Sequence, residues 1–300
     1  MRILLTGSNG FLGKTIFYKI SRYYDVYTLN KRFSNYNFDI VHDNVLFDQS
    51  FDCIIHAAGK AHLVPVSLVE INSFQEINVK GTKNLLEALT KSILPKYFIF
   101  ISSVSVYGLS EGSGIHENAP LLANDPYGKS KIEAECLVSE WCHKNNVICT
   151  ILRLPLVVGP NSPGNLGAMI KGIKKGYYFN IAGGHAKKSM VLAIDIAKYL
   201  IKASEVGGVY NLTDGYHPSF GELSHLISNQ LGKYSVPRIP FFIATFLAKF
   251  GDFIGNKFPI NSHKLSKITS TLTFDDSKAR VAFGWNPTPV LEGFKISSHV

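Results

Sequence analysis

A glycine-rich turn between a strand and a helix opens this chain, and it restricts the possible folds more than any other feature. Arg2–Thr6 is a short apolar run of the kind that forms a buried strand. Gly7, Gly10 and Gly13 follow, and the apolar spacing over Lys14–Tyr23 predicts a helix. Such a turn aims backbone N–H groups and a helix N-terminus at a phosphate. We therefore expect a dinucleotide site here, although three glycines also fit an ordinary turn between a strand and a helix.

Strands and helices continue to alternate after this turn. The predicted strands are Asp25–Leu29, Phe38–Val41, Phe51–His56, Lys96–Ser102 and Ile148–Leu152, and the predicted helices between them are Glu70–Leu89 and Pro126–Lys144. This alternation is typical of an α/β fold with a doubly wound parallel sheet of the Rossmann type.

The pattern changes after Gly159. A loop is expected over Asn161–Gly167, a helix over Ala168–Lys175, and one more strand over Val209–Leu212. We expect residues 1–159, joined by about 189–213 returning to the sheet, to form an NAD(P)-binding domain. Residues from about 160 to 188 and from 214 to 300 would form a smaller, mostly helical substrate-binding domain.

Composition narrows the class of protein. Hydrophobic residues make up 46% of the chain and charged residues 18%, which is enough apolar material for a large core. The formal charge is +9, but lysines and arginines are dispersed, so we expect no nucleic-acid partner; a positive field also suits a diphosphate substrate. The cysteines show no metal-ligand spacing, which predicts no metal site and reduced thiols in a cytoplasmic protein; they are Cys53, Cys136, Cys142 and Cys149.

One strongly apolar stretch lies near the C-terminus, over residues 239–254. It is shorter than the ~20 apolar residues that span a bilayer, so no transmembrane segment is expected. A buried helix or a subunit contact is the favoured interpretation, and peripheral contact with a membrane is the alternative.

The residues after the second predicted strand bear on the choice of cofactor. In a doubly wound sheet an acidic residue at this point hydrogen-bonds the ribose of NAD. Here Asn30, Lys31 and Arg32 follow the strand. Two cations could receive a 2′-phosphate, which favours NADP slightly over NAD. The alternative is that both cations are solvated loop residues.

A serine, a tyrosine and a lysine form the candidate catalytic set. Ser103 follows a predicted strand, and Tyr127 and Lys131 stand four residues apart on one face of a predicted helix. Tyrosine needs a nearby cation to act as a base near neutrality, and Lys131 is placed to lower its pKa. Tyr127 would exchange a proton with a substrate oxygen that Ser103 orients.

Several motifs together resemble the extended short-chain dehydrogenase/reductases, and among them the NAD-dependent epimerase/dehydratase family that modifies nucleotide-sugars. The motifs are TGSNGFLG (6–13), HAAG (56–59), NVKGT (78–82), ISSVSVYG (101–108), YGKSK (127–131) and the closing segment 272–287. The resemblance implies hydride chemistry at C4 of a nucleoside-diphosphate sugar and a homodimer paired through the helix near Glu70 and the Tyr127 helix.

The resemblance also implies residue roles. Cofactor contacts would come from Gly7, Asn9, Gly10, Phe11, Leu12, Gly13, Asn30, Lys31, Arg32, Ala57, Ala58, Gly59, Tyr127, Lys131 and Pro155. Substrate contacts would come from Ser103, Ser105, Asn165, Leu166 and Lys188. Lys188 stands where the family usually has an arginine for the substrate diphosphate, which keeps the charge but loses the bidentate fork.

Departures from the family pattern bear on the reaction. Val104 and Ser105 replace the acidic pair that dehydratases use, which argues against 4,6-dehydration. Leu156 replaces the sugar-contacting asparagine of typical epimerases. With the NADP preference, these changes favour a 4-ketoreductase slightly over a 4-epimerase with retained NAD. A non-catalytic cofactor sensor and a reductase of other small carbonyl compounds are weaker alternatives.

Overall fold

Short strands and amphipathic helices follow one another along the chain in the computed structural model, which describes residues 1–61, 67–233, 235–254 and 261–296. The strands are β1 (Arg2–Thr6), β2 (Asp25–Asn30), β3 (Tyr36–Asn37), β4 (Cys53–His56), β5 (Tyr97–Ser103), β6 (Gly112–Ile115), β7 (Ile148–Leu154), β8 (Leu156–Val158), β9 (Asn180–Ile181), β10 (Met190–Leu192), β11 (Gly208–Asn211), β12 (Arg238–Ile239) and β13 (Leu272–Phe274). The α-helices are α1 (Phe11–Ile20), α2 (Leu68–Phe74), α3 (Gly81–Thr90), α4 (Pro126–Lys144), α5 (Gly164–Lys175), α6 (Ala193–Val206), α7 (Phe220–Gln230), α8 (Phe241–Ile254), α9 (Ser262–Thr269), α10 (Ser277–Phe283) and α11 (Val290–Gly293).

Seven of these strands form one parallel sheet in the order β11-β7-β5-β4-β1-β2-β3. The predicted fold class, a doubly wound parallel sheet, is confirmed. From β1 the chain builds toward β2 on one side and toward β4 on the other, so the strand order reverses between β1 and β4. Ligands of such sheets bind at the carboxyl ends of the strands beside this reversal. Gly7 and Ala57 stand at that place, one residue after β1 and β4.

Apolar layers cover both faces of the sheet. On one face, Ile16 and Ile20 of α1 pack with Leu200 of α6 over β1 and β5. On the other, Leu85 of α3 and Val138 of α4 pack over the same strands. Both faces of the sheet are therefore buried, as a parallel sheet requires.

The remaining elements form smaller clusters. Strand pairs β8–β10, β9–β12 and β6–β13 are all parallel. One cluster joins Leu166 and Ile170 of α5 to Leu223 of α7. Another is small: Ala244 and Ala248 of α8 pack with Leu265 of α9, beside Ile181 and Ile239.

The third strand lies two residues earlier than predicted, at Tyr36–Asn37 instead of Phe38–Val41. The Asp39 carboxylate accepts a hydrogen bond from the Val41 N–H at 3.0 Å, and the His42 N–H donates to the Asp39 carbonyl at 3.0 Å. These bonds fold the predicted strand into a turn, because aspartate side chains readily replace a backbone partner.

The predicted helix Glu70–Leu89 is interrupted by a π-helix. α2 passes into this π-helix at Gln75–Lys80, and α3 continues from Gly81. Ser67 caps the start of α2, since its side chain accepts the Glu70 N–H at 3.2 Å. A π-helical turn holds one extra residue, and such turns are common at functional sites.

The expected loop Asn161–Gly167 is partly helical, because α5 begins at Gly164. Gly167 sits inside this helix, where an added Cβ would lie 2.5 Å from the Ser162 carbonyl oxygen. The glycine therefore serves close packing there and does not end the helix.

The apolar stretch 239–254 forms β12 and α8, but the expectation of a buried helix is wrong for most of its large side chains. Phe242, Phe246 and Phe253 are 73%, 72% and 91% exposed. Within the described ranges, no helix combines the length and hydropathy that crossing a bilayer demands. Residues 255–260 and 297–300 of the predicted substrate-binding segment lie outside the described residues.

Candidate active site

The glycine turn brings the ends of β1 and β4 into contact. Gly7 has a φ of +72°, and a Cβ added to it would lie 2.6 Å from the Ala58 nitrogen. A Cβ on Gly13 would lie 2.1 Å from the Gly7 carbonyl oxygen. Only glycine fits at these two positions, so the turn, α1 and the Ala57–Gly59 segment form one close-packed unit.

The N-terminus of α1 faces out of this unit. Gly10 is its N-cap, with no side-chain cap and no acidic residue in the first turn. Phe11, Leu12 and Gly13 therefore present backbone N–H groups without a nearby carboxylate. A helix start of this kind binds a pyrophosphate. The residues present thus fit the phosphates of a dinucleotide.

A buried histidine fixes the end of β4. His56 Nδ1 hydrogen-bonds the Thr6 hydroxyl at 2.7 Å, and Nε2 hydrogen-bonds the Thr82 hydroxyl at 2.9 Å. The Thr82 hydroxyl donates its own proton to the Asn78 carbonyl at 2.6 Å. It must therefore accept from Nε2–H, which leaves Nδ1 to accept from Thr6. Burial lowers the pKa of His56 to about 3, so this ring is neutral at physiological pH.

Asn78 joins the segment after β4 to the first turn of α4. Its side-chain oxygen accepts the Lys60 N–H at 2.7 Å, and its amide donates to the Ser130 hydroxyl at 2.9 Å. Ser130 in turn donates to the Tyr127 carbonyl at 2.7 Å. Asn78 lies in the π-helix, which is the local distortion that aims it at both partners. Asn78 belongs to the NVKGT motif, but the sequence alone assigns it no individual role.

Ser103 and Tyr127 are brought together as predicted from their positions. Ser103 ends β5, and Asp125 caps α4 by accepting the Gly128 N–H at 3.0 Å. Burial raises the pKa of the Tyr127 hydroxyl, while a hydrogen bond with the Ser103 side chain works in the opposite direction. The Ser103 hydroxyl also contacts that of Ser105, at 3.1 Å.

Lys131 lies on α4 with Tyr127, but its ammonium group points to β5. Nζ donates to the Ile101 carbonyl at 2.7 Å and lies 4.0 Å from the centre of the Phe100 ring. Burial lowers the pKa of Lys131 to about 7, with Glu135 opposing that shift. In this arrangement burial raises the pKa of Tyr127 and the ammonium group of Lys131 contacts the backbone of β5, so the lowering of the Tyr127 pKa by Lys131 stays a prediction.

Glu135, four residues after Lys131 on α4, forms a buried ion pair with Arg153 of β7. Arg153 Nη2 of β7 lies 2.7 Å from Glu135 Oε2, and both side chains are nearly inaccessible to solvent. Ser102 donates a further hydrogen bond to Glu135, and Arg153 Nη1 donates to the Tyr107 hydroxyl at 3.1 Å. These partners satisfy both charges, which burial would otherwise make costly. Neither Glu135 nor Arg153 was in the predicted site.

The residues after β2 are tied to one another. Asn30 donates to the Ser8 hydroxyl at 2.7 Å, and Asn9 donates to the Arg32 carbonyl at 2.9 Å. Lys31 forms an ion pair with Asp39 at 2.7 Å, whereas the Arg32 side chain is exposed. One of the two cations proposed for a 2′-phosphate therefore already has a partner.

A cavity of about 370 Å³ opens beside Lys31. Val41 and His42 line it from the turn after β3, and Asn72 and Ser73 line it from α2. Its position at the carboxyl end of β2 suits the adenosine half of a dinucleotide.

The predicted substrate residues lie on separate elements. Asn165 is exposed in the first turn of α5, whereas Leu166 is 2% exposed and packs in the core. Pro155 is half-buried between β7 and β8. Lys188 is half-buried just before β10, where burial and the nearby charge of Lys267 lower its pKa to about 8. Lys267 of α9 was not among the predicted residues.

Comparison with known proteins assigns the family. Residues 3–213 match the model of the NAD dependent epimerase/dehydratase family. The chain belongs to this family. Its relatives are NAD(P)-dependent epimerases, dehydratases and reductases, so the chain is an enzyme of the extended short-chain dehydrogenase/reductase class and of a family that acts on nucleotide-sugars.

Two relatives represent different reactions within the family. The N-acetyl-alpha-D-glucosaminyl-diphospho-ditrans,octacis-undecaprenol 4-epimerase of Escherichia coli O157:H7 is 29% identical, over 92% of this chain and 88% of the relative. The GDP-6-deoxy-D-mannose reductase of Pseudomonas aeruginosa is 26% identical, over 76% of this chain and 79% of the relative. Both the epimerase and the reductase expected from the sequence therefore occur among its relatives.

Two solved structures share the fold. The UDP-glucuronic acid 4-epimerase of Bacillus cereus, solved with NAD, has a TM-score of 0.74 at 20% identity, covering 97% of this chain and 95% of that one. RMD from Pseudomonas aeruginosa, solved with NADPH, has a TM-score of 0.73 at 21% identity, covering 96% and 94%. These structures bind NAD in one case and NADPH in the other.

Proposed function

We propose that this enzyme is a 4-epimerase of a sugar linked to a diphosphate and that it retains NAD. The observation that carries the proposal is the contact between the side chains of Ser103 and Tyr127, in a chain that matches a 4-epimerase over 88% of that relative's length. The ion pair between Lys31 and Asp39 supports NAD, because it leaves fewer free cations for a 2′-phosphate.

The residues of the chain divide the work by position. The N–H groups of Phe11 to Gly13 would hold the pyrophosphate, and Ala57 to Gly59 would lie beside the ribose. Bound there, a nicotinamide supplies a site that accepts and returns hydride at a sugar carbon. We place residues 1–159 and 189–213 in this cofactor-binding part and assign the substrate to residues 160–188 and 214–300.

Proton transfer would fall to Tyr127. Its hydroxyl would take the proton of the C4 hydroxyl of the sugar and later return it, while Ser103 holds the same oxygen by a hydrogen bond. The high pKa of the tyrosine must fall for this step. A shift of Lys131 Nζ from the Ile101 carbonyl toward Tyr127 would lower it, since both side chains start from one face of α4.

Asn165 and Lys188 would hold the diphosphate of the substrate. Lys188 is half-buried and close to a second cation, Lys267, so two positive charges meet at one place. The negative charge of a diphosphate is large enough to pair with both lysines. Leu166 could contribute only its backbone, because its side chain is buried.

A 4-ketoreductase using NADPH is the second candidate. It is favoured by Asn30, which cannot act as the acid that selects NAD, and by the exposed Arg32 beside it. The two candidates differ in what the purified enzyme contains. Retained NAD released on denaturation supports the epimerase, whereas an enzyme that consumes added NADPH with a 4-keto sugar diphosphate is a reductase.

Substitution of Tyr127 tests the shared chemistry. Tyr127→Phe is expected to lower the rate of C4 inversion by about 100- to 10,000-fold, the usual contribution of a positioned acid or base. Tyr23→Phe is the matched control, since Tyr23 is exposed in the turn after α1. Turnover would be followed by NMR of UDP-sugars and polyprenyl-diphosphate sugars. Full turnover by Tyr127→Phe would show that the assigned role is wrong.

A further inference from the structure

α8 is packed through its smallest residues. Ala244, Ala248 and Gly251 are buried, and the two alanines meet Leu265 of α9. The spacing of four and three residues places all three on one stripe of the helix. The surface through which α8 packs on the rest of the protein is therefore narrow and made of small side chains.

The largest side chains of α8 lie on the opposite side. Phe242, Phe246 and Phe253 follow one another at i, i+4 and i+11, which is one ridge of a helix. Phe241, Phe250 and Ile254 flank the ridge and are also exposed. We use the name phenylalanine ridge for all six residues, the three in line and the three that flank them. An ordinary surface helix buries its large apolar residues and exposes its polar ones, so α8 is reversed relative to the rest of the protein.

Positive charge accompanies the ridge. Lys249 is exposed on α8, and Lys267 is exposed on α9, which packs against it. The one acidic residue of α8, Asp252, accepts hydrogen bonds from the backbone and hydroxyl of Ser262. The chain as a whole carries +9. A phenylalanine-rich ridge with lysines at its side is the pattern of a helix that lies in the surface of an anionic bilayer.

The same two helices lie close to the proposed diphosphate site. α9 ends at Thr269, three residues before Leu272, which forms a β-bridge with Lys188. Lys267 of α9 is near enough for its charge to act on Lys188. A diphosphate held by these two lysines would thus lie beside α9, which packs against α8.

We propose that the phenylalanine ridge rests in an anionic membrane surface and that the diphosphate of the substrate is carried by a long-chain isoprenoid lipid in that membrane. This inference rests on the proposed function for its substrate, whereas the membrane contact stands on the ridge and the lysines. A lipid-linked sugar has its diphosphate at the water–lipid boundary, and α8 resting in that boundary would hold α9, which carries Lys267, next to the membrane. A second copy of the chain is the competing occupant of the ridge.

Co-sedimentation of the full chain with vesicles tests the membrane contact. One set of vesicles would contain phosphatidylcholine alone. In the other set, phosphatidylglycerol would make up one third of the lipid. We expect binding to the mixed vesicles, a loss of about 100-fold or more for the triple variant F242S/F246S/F253S, and a loss of about fivefold for Lys249→Gln. The controls Tyr23→Ser and Val281→Ser remove exposed apolar side chains elsewhere and should bind like the unmodified chain.

Light scattering tests whether a second copy of the chain, instead of a membrane, covers the phenylalanine ridge. If the unmodified chain ignores both vesicle types and the triple variant converts a dimer to a monomer, the ridge is a subunit interface and the inference is overturned. If vesicle binding is equal for the unmodified chain and the triple variant, the ridge does not carry the contact and the inference is likewise overturned.

The substrate is tested separately, with C4 inversion of polyprenyl-diphospho-N-acetylglucosamine in mixed vesicles against UDP-N-acetylglucosamine in buffer. We expect faster turnover of the lipid-linked sugar, and at least a tenfold loss of that activity alone in the triple variant. Turnover of UDP-N-acetylglucosamine only would overturn the lipid substrate and leave the proposed epimerase intact. Vesicle binding without inversion of either sugar would instead contradict the proposed function.

Discussion

Helices α4 and α8 both depart from the rule that polar side chains face water and apolar ones face the core, but in opposite directions. α4 buries Lys131 and Glu135 against the central sheet. α8 buries two alanines and a glycine and exposes its phenylalanines. Each departure costs free energy in isolation, since a buried charge loses its hydration and an exposed aromatic ring orders water around it.

The two helices differ in which groups offset this free-energy cost. On α4 the Glu135 carboxylate is matched inside the protein by Arg153 and Ser102, and the Lys131 ammonium group donates to the Ile101 carbonyl. On α8, by contrast, the side chains of Phe242, Phe246 and Phe253 remain 73%, 72% and 91% exposed. The comparison teaches that α4 is completed by the fold itself, whereas α8 calls for a partner outside it.

Breaking the buried ion pair should have the largest effect on stability. Arg153→Met leaves the Glu135 carboxylate buried without its partner, and we expect a loss of about 3–5 kcal/mol in the free energy of unfolding. Urea denaturation measures it. The double variant E135L/R153M should recover most of the loss, because both charges are then gone. Lys83→Met is the control: it removes an exposed ion pair with Glu87 on α3 and should cost under about 1 kcal/mol. An equal loss in both single variants would contradict the contrast between buried and exposed pairs.

A larger side chain in the contact between α8 and α9 should have a smaller effect on stability. Ala248 is fully buried against α9, so Ala248→Leu inserts a larger side chain into a closed contact. We expect a loss of about 1–3 kcal/mol in the free energy of unfolding, again by urea. Unchanged stability would mean that α8 packs only loosely against α9.

The charge of Lys131 should make stability depend on pH. Its pKa is about 7 in the folded protein against 10.5 for a free lysine. Between these values the unfolded chain holds a proton that the folded one has lost, so stability should rise with pH from about 7 to 10.5. The slope is at most about 1.4 kcal/mol per pH unit. Lys131→Met should flatten the rise in urea midpoints measured at several pH values, whereas Lys129→Met, on the exposed side of α4, should keep it.

Removing a ridge phenylalanine should have the smallest effect on the isolated protein. Phe246→Ser replaces an exposed side chain, and we expect a change within about 0.5 kcal/mol. Phe98→Ala in β5 is the contrasting variant, since that ring is fully buried and its loss should cost about 3–5 kcal/mol. A large loss for Phe246→Ser would mean that the ridge is packed within the fold after all.

The sequence predicted the elements whose signals are local. The glycine turn, the apolar strands of the sheet and the start of α4 at Pro126 follow from spacing along a few residues. The same holds for the positions of Ser103 and Tyr127, because a strand end and a helix start meet at one edge of a parallel sheet.

Contacts between distant segments could not be predicted. The ion pair of Lys31 with Asp39 depends on the turn after β3, which was predicted to be a strand. The pair of Glu135 with Arg153 depends on how α4 lies across β7. Two signals were present: Glu135 follows Lys131 by four residues, and Arg153 is the one charge in an otherwise apolar strand.

The orientation of α8 was missed because its composition is apolar on nearly all sides, which usually means burial. The spacing of Ala244, Ala248 and Gly251 was the available signal, since small residues on one stripe mark the side on which a helix approaches its neighbour closely. The role proposed for Lys267 could likewise be found only after α9 was seen beside Lys188.

The π-helix at Gln75–Lys80 has a consequence for how this chain can vary in length. A π-turn holds one residue more than an α-turn, so α2 and α3 are out of phase by about 100° relative to a continuous helix. Deleting one residue between Gln75 and Lys80 would allow a regular α-helix but would rotate Asn78 away from Lys60 or Ser130. This segment should therefore tolerate substitution on its exposed side far better than it tolerates any change in residue number.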